Sequence, residues 1–227
     1  LRIVHCLDER ENQEMTIFYV GCAILLAYLL GSIPSAVWYG KRMYEVDVRE
    51  HGSGNAGATN TFRVLGKRAG IIVLLLDMLK GAAATSLARL LLQQDIIPAD
   101  RLVEFQLLLG IVAVIGHIFP VFTKFDGGKG VATLSGMVLI IQPVVALLCA
   151  LVFLIILIST KYVSLGSLLA ALSFPLLLLL RPFRTGEPLL IAFGFAMFTL
   201  LVITHQKNIR RLLKGYESRT YLFVKKD

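Results

Sequence analysis

Apolar positions in this chain fall into long runs separated by short polar loops. Four runs are clear, at about 16–40, 69–92, 102–123 and 187–206, and a fifth at about 164–180 is short but strongly apolar. A helix needs roughly 20 apolar residues to cross a bilayer core of about 30 Å, so each of these runs predicts a span. The stretch 131–160 carries Gln142 and Pro143 at its middle. As one helix it would be about 45 Å long, too long for the core without strong tilt. As two helices turning at Gln142 and Pro143, it yields a short first member at about 131–141.

Parity decides between the two. With seven spans, the loops at 41–68, 124–130 and 160–164 share a side with the C-terminal tail. Sixteen basic residues then gather there, from Lys41, Arg42 and Arg49 through Lys207, Arg210 and Arg211 to Lys225 and Lys226. Arg2, Arg10, Arg89, Arg101, Arg181 and Arg184 face the other way. The positive-inside rule makes the rich side cytoplasmic. One long helix would move Lys161 and the tail across and erase the bias. The expected fold is all-α: a polytopic integral membrane protein with seven transmembrane helices, the N-terminus extracytoplasmic and the C-terminus cytoplasmic. Residues 1–15 read as a polar leader, 16–206 as the transmembrane domain and 207–227 as a basic cytoplasmic tail.

Composition agrees with lipid as the solvent. The chain is 56% hydrophobic and 17% charged, where a soluble domain carries nearer a quarter charged residues. The net charge of +8 sits in loops and tails without a stripe or aromatic interleaving, so nucleic acid is not the expected partner. Membrane lipids and anionic substrates are. Cys6, Cys22 and Cys149 have neither the count of a disulfide framework nor metal-ligand spacing, and no metal is expected.

The loops carry the chemistry. In the first, Gly52, Gly54 and Gly57 alternate with Ser53, Asn55, Thr59 and Asn60, and Arg63 follows. Such glycines let backbone N–H groups turn toward one concavity, and an arginine fork suits phosphate. In the second loop, Gly127, Gly128, Lys129 and Gly130 open a predicted helix, where free N–H groups and a lysine make an anion site. A Walker A loop is disfavoured, because the upstream glycine is missing and Val131 follows where Ser or Thr would bind magnesium. Ser164, His205 and Asn208 lie on the same side as these loops, and the spacing of His205 and Asn208 suits one helical face. Within the apolar runs, Asp77 and Lys80 form an intramembrane ionisable pair, a functional candidate by default whose favoured reading is a neutralised structural pair, and His117 reads as packing or hydrogen-bonding rather than catalytic. A transporter of a phosphorylated organic anion is the alternative reading, though its site belongs near the midplane between repeats.

Taken together, these stretches closely resemble the acyl-phosphate:glycerol-3-phosphate acyltransferases of bacterial membranes. The matching residues run from Gly31, Ser32, Ile33 and Pro34 through both glycine loops and Tyr162, Val163 and Ser164 to His205, Asn208 and Arg211. The resemblance covers about residues 16–215. It implies a multi-pass enzyme of the bacterial inner (plasma) membrane with its active site on the cytoplasmic face. Such an enzyme transfers a fatty acyl group from acyl phosphate to glycerol 3-phosphate, giving lysophosphatidic acid and inorganic phosphate in phospholipid biosynthesis. It further implies Ser53, Arg63, Lys129, His205 and Asn208 as catalytic residues. Gly52, Gly54, Asn55, Gly57, Thr59, Asn60, Gly127, Gly128, Gly130 and Ser164 would hold substrate and phosphate. An upstream enzyme that forms acyl phosphate would supply the donor. An acyl phosphate is already an activated mixed anhydride, so no cofactor is expected. Acyltransferases that use thioester donors show His, four spacers and Asp; here Arg10, Ala56, Phe122 and Arg210 stand five after the histidines, and the pattern is absent.

Overall fold

A computed structural model describes residues 2–183 and 187–220, with side chains from residue 13 onward. Arg184, Lys225 and Lys226, and the side chains of Arg2 and Arg10, all part of the charge count above, lie outside the described residues, as do the side chains of most of the leader and the end of the tail. Among the described residues the chain is helical with no strand. In order the α-helices are α1 (Arg2–Ser32), α2 (Ser35–Tyr44), α3 (Ala58–Leu65), α4 (Lys67–Gln93) and α5 (Leu102–Ile118). After them come α6 (Val131–Ile141), α7 (Pro143–Thr160), α8 (Val163–Leu178), α9 (Pro188–Thr204) and α10 (Gln206–Leu213).

Prolines set several of the breaks. The first apolar run was expected to continue to about residue 40, but α1 stops at Ser32 and α2 starts at Ser35, because Pro34 has no N–H to continue the ladder. Pro120 likewise separates α5 from a 3-10 turn at Val121–Thr123. The expected turn at Gln142 and Pro143 is present: α6 ends at Ile141 and Pro143 occupies the first turn of α7, where its missing N–H is harmless.

Gln13–Ser32, Lys67–Gln93, Ala99–Thr123 and Pro143–Thr160 are each long and apolar enough to cross a membrane. Pro188–Thr204 and Gln206–Leu213, bent by 68° at their junction, form a fifth candidate taken together, while α6 and α8 are shorter apolar helices. α7 is the clearest lipid-facing element. Its mean hydropathy is 2.8 yet only 17% of its residues are buried, so its apolar surface needs a hydrocarbon solvent.

Two packing layers organise the helices. α1, α4 and α5 meet through small residues, with Ala23, Ala27, Ala84, Ala88 and Ala113 in their shared core. The second core joins α5, α6, α8 and α9 through Val114, Met137, Phe174, Leu178, Leu190 and Leu201. α4 binds α6 to this assembly by close backbone approach: a Cβ on Gly136 would lie 1.9 Å from the Met78 carbonyl oxygen, and one on Gly81 2.0 Å from that of Thr133. Small residues permit such contact in membrane bundles. Because α4 and α5 are fixed by the first core, this contact also fixes the start of α6, where the second glycine loop ends.

Candidate functional site

The first loop is built around one side chain. Asn60, on α3 and 1% exposed, accepts from the Ser53 N–H at 2.8 Å and the Ser53 hydroxyl at 3.1 Å. Its amide donates to the carbonyl oxygens of Val48 at 2.6 Å and His51 at 3.0 Å. A buried carboxamide satisfied on both ends fixes the loop around it. Gly52 is required there twice over: its φ is +64°, and a Cβ would lie 2.4 Å from Asn60 Oδ1. The loop starts at Asp47, which accepts from the Arg49 N–H at 3.0 Å and its guanidinium at 2.8 Å, and pairs with Lys41 at 3.1 Å. The Arg49 guanidinium, first among these, holds the Asp47 carboxyl far below the usual carboxylate range. Arg49 also faces Asp126 at 3.9 Å, linking the first loop to the second.

Arg63 sits one turn past Asn60 on α3 and points into the gap between the loops, half-buried, with Nη2 donating to the Ser218 carbonyl oxygen at 3.4 Å. Burial pushes its pKa down. Its Nε is buried without a hydrogen-bond partner, so the fork keeps an unsatisfied donor while the side chain lines the cavity.

The second loop enters α6 at Gly130, whose φ of +83° is the left-handed conformation that lets the chain turn into the helix at Val131. Lys129 donates to the Asn208 side-chain oxygen. Burial pushes its pKa down to about 8. His205 stands at the corner between α9 and α10, where its Nδ1 lies 2.8 Å from the Leu201 carbonyl oxygen. The ring is buried beside the Lys129 ammonium side chain, with both lining the same cavity. A 68° bend separates α9 from α10 at His205, which caps α10 three residues before Asn208, and both side chains line one cavity. α9 ends at Thr204, His205 precedes α10, and the bend turns Asn208 toward Lys129.

Glu217 is the residue that the sequence reading missed. Nearly buried, it accepts from Ser164 Oγ at 3.0 Å, Asn208 Nδ2 at 2.6 Å and Arg211 Nε at 2.6 Å. Burial raises its carboxyl, but the bonds from Arg211, Asn208 and Ser164 outweigh it and hold the pKa below the ordinary value. No local pattern marks it, because its partners lie as far as 53 positions away. Beyond it, the Thr220 N–H donates to the Lys161 carbonyl oxygen at 2.8 Å, carrying residues 217–220 from α10 to the turn before α8.

A single cavity of about 460 Å³ receives these elements. Ser53, Asn55, Gly57, Thr59, Asn60 and Arg63 line it from the first loop. Lys129 and Gly130 line it from the second, and Ser164, His205, Asn208 and Glu217 from the remaining side. Gly52, Gly54, Gly127 and Gly128 shape the loops without lining it. Below this polar mouth the walls are apolar, with Val138 of α6, Ala146 and Phe153 of α7, Phe174 of α8 and Met197 of α9. Since α6 leads away from Gly130 and α7 returns to Lys161, Ala146 marks the far end of the groove and Phe153 its middle. No group of three or more metal-ligating side chains occurs among the described residues. A cationic cradle opening into a hydrocarbon groove suits an amphiphile whose head is phosphate.

Residues 21–215 match the family model described as glycerol-3-phosphate acyltransferase. A glycerol-3-phosphate acyltransferase of Salinibacter ruber is 42% identical over 210 residues, covering 88% of this chain and 92% of that protein. One of Enterococcus faecalis is 46% identical over 202 residues, covering 86% and 89%. Among solved structures, the integral membrane glycerol 3-phosphate acyltransferase PlsY in its glycerol 3-phosphate form superposes with a TM-score of 0.75 at 37% identity, covering 89% of this chain and 96% of that one. Its lysophosphatidic acid form gives the same TM-score at 38% identity.

Proposed function

This chain belongs to the glycerol-3-phosphate acyltransferase family, and from that premise we propose that its acyl donor is acyl phosphate. The protein is a membrane enzyme that acylates glycerol 3-phosphate. With acyl phosphate as donor, a substrate hydroxyl attacks the acyl carbonyl, the ester bond of lysophosphatidic acid forms and inorganic phosphate leaves. The observation that carries this reading is the continuity of the cationic mouth with the apolar groove in one cavity. An acyl tail fits the groove while its phosphate stays at the mouth.

Both substrates bring phosphate, so roughly four negative charges meet. Two unit charges 4 Å apart repel by about 4 kcal/mol at an effective dielectric near 20. Arg63, Lys129 and the N–H groups of the glycine loops offset that repulsion and stabilise the leaving phosphate. Ser53 orients a substrate phosphate or the attacked carbonyl. Its hydroxyl donates to Asn60 rather than to a histidine, which supports direct attack over a covalent acyl-serine. His205 and Asn208 complete the wall beside Lys129, and Ser164 is held there by Glu217.

The topology belongs to the same proposal. Seven spans include the short α6 and α8, with the N-terminus extracytoplasmic and the site and C-terminus on the cytoplasmic face of the bacterial inner membrane. The helix break at Gln142 and the basic residues around the site support it. Reagent labelling of single cysteines placed at Lys124 and Asp100 in intact cells tests it: the first stays protected and the second reacts. Incubation of purified protein with acyl phosphate and glycerol 3-phosphate tests the activity, with lysophosphatidic acid and phosphate released in equal amounts. Product formed only from a thioester donor would overturn the acyl-phosphate assignment.

A further inference from the structure

Behind the second glycine loop lies a buried set of charges that the reaction above does not use. Asp77 on α4 and His117 on α5 also line the cavity. Asp77 Oδ1 is 2.9 Å from Lys80 Nζ and 3.6 Å from His117 Nδ1, and the three side chains are 1%, 5% and 5% exposed. Lys80 Nζ also donates to the Ile33 carbonyl oxygen at 2.8 Å, at the break between α1 and α2. Among the described residues, Lys80 and His117 are the groups set against the Asp77 carboxylate.

His117 is the floor of the loop. Its carbonyl oxygen accepts from the Gly128 N–H at 3.1 Å. A Cβ on Gly128 would stand 2.1 Å from His117 Nε2, and one on Gly127 2.2 Å from the His117 carbonyl oxygen. The loop therefore rests on the ring and the backbone of His117 at once, and a tilt of that ring displaces Gly128 beside Lys129. Packing alone would favour apolar side chains here, since a buried ion pair is often no more stabilising than a well-packed hydrophobic replacement. A carboxylate 3.6 Å from Nδ1, longer than a hydrogen bond, instead favours the ring orientation that turns an Nδ1–H toward it, and Nδ1 has no other partner.

We propose that Asp77 is a positioning residue for the glycine-lysine loop, acting through His117, with Lys80 holding Asp77 in place. The inference rests on the reading of that loop as a phosphate-binding element. Asp77 carries no part of the chemistry; it sets where the loop N–H groups and Lys129 meet a substrate phosphate.

The test measures KM for acyl phosphate and for glycerol 3-phosphate, kcat and thermal unfolding in purified Lys129→Ala, Asp77→Asn and the charge-neutral pair Asp77→Leu with Lys80→Met. The pair removes both charges, so neither is left buried without its partner. The expected result is that Lys129→Ala raises KM for at least one phosphate substrate. The pair then raises KM for the same substrate by on the order of 10-fold to 100-fold, with kcat changed less. Asp77→Asn shifts the same KM in the same direction by a smaller factor. If Lys129→Ala weakens a substrate while both Asp77 variants bind it normally, this inference fails and the loop reading stands. A lowered melting point with unmoved KM values shows a merely structural role and likewise overturns it. If Lys129→Ala leaves both KM values unchanged, the loop reading itself fails, and this inference with it.

Discussion

The Glu217 carboxylate accepts from the Asn208 amide at 2.6 Å, and this contact decides which way Asn208 faces. With its nitrogen toward Glu217, Asn208 turns its oxygen to the Lys129 ammonium. A residue beyond the matched family segment thereby orients one inside it. Glu217→Gln removes the charge that Arg211 and Asn208 both use and offers an N–H where they need an acceptor. Folded stability is expected to fall by about 2 kcal/mol, the scale of a hydrogen bond to a charged group. Thermal unfolding in detergent checks this, and an unchanged midpoint would contradict the arrangement.

Lys129 sets the alkaline side of the pH profile. Its pKa in the free protein is pushed down to about 8, so the ammonium is present below that pH and lost above it. If the charge holds phosphate, kcat/KM falls as pH rises through about 8. Bound phosphate favours the charged form, so the corresponding break in kcat lies at higher pH. Initial rates from pH 6 to 10 at low and saturating substrate separate the two, and coincident breaks would remove Lys129 from substrate binding.

Arg63→Lys keeps a positive charge but loses the planar fork. Because Nε is buried and unpaired while Nη2 is engaged by Ser218, the geometry favours a fork over a point charge. Activity is expected to drop on the order of 100-fold with the melting point little changed. Near-normal turnover in the lysine variant would show that charge alone suffices.

Asn60→Ala deletes the hub of the first loop while leaving every glycine in place. Ser53 loses its partner for both N–H and hydroxyl, and kcat/KM is expected to fall on the order of 100-fold. Gly52→Ala pushes on the same hub from the other side and should give a similar kinetic defect. Unaltered kinetics in both variants would detach the Asn60 network from function.

Ala146→Phe fills the far end of the groove. If the acyl chain lies there, long-chain donors lose activity while short-chain ones keep it. A parallel loss for all chain lengths would place the acyl chain elsewhere.

Much was legible in the residues alone. Long apolar runs force helices, because a bilayer leaves no solvent for unpaired backbone groups, and Pro143 marks where the long stretch must break. Glycine-rich loops with Arg63 and Lys129 announce anion chemistry, because those residue types have few other uses at a helix entrance. Those features act over a few positions, so sequence determines them. Only the tertiary structure decided the rest. It cut the first run at Pro34, bent the chain at His205, and brought Glu217 to Ser164 across 53 positions. It also set Asp77 against His117, so that residues read as structural now stand behind the second loop. Such pairings depend on which helices meet and at what depth, and helix packing is a property of the assembled bundle that no local pattern encodes.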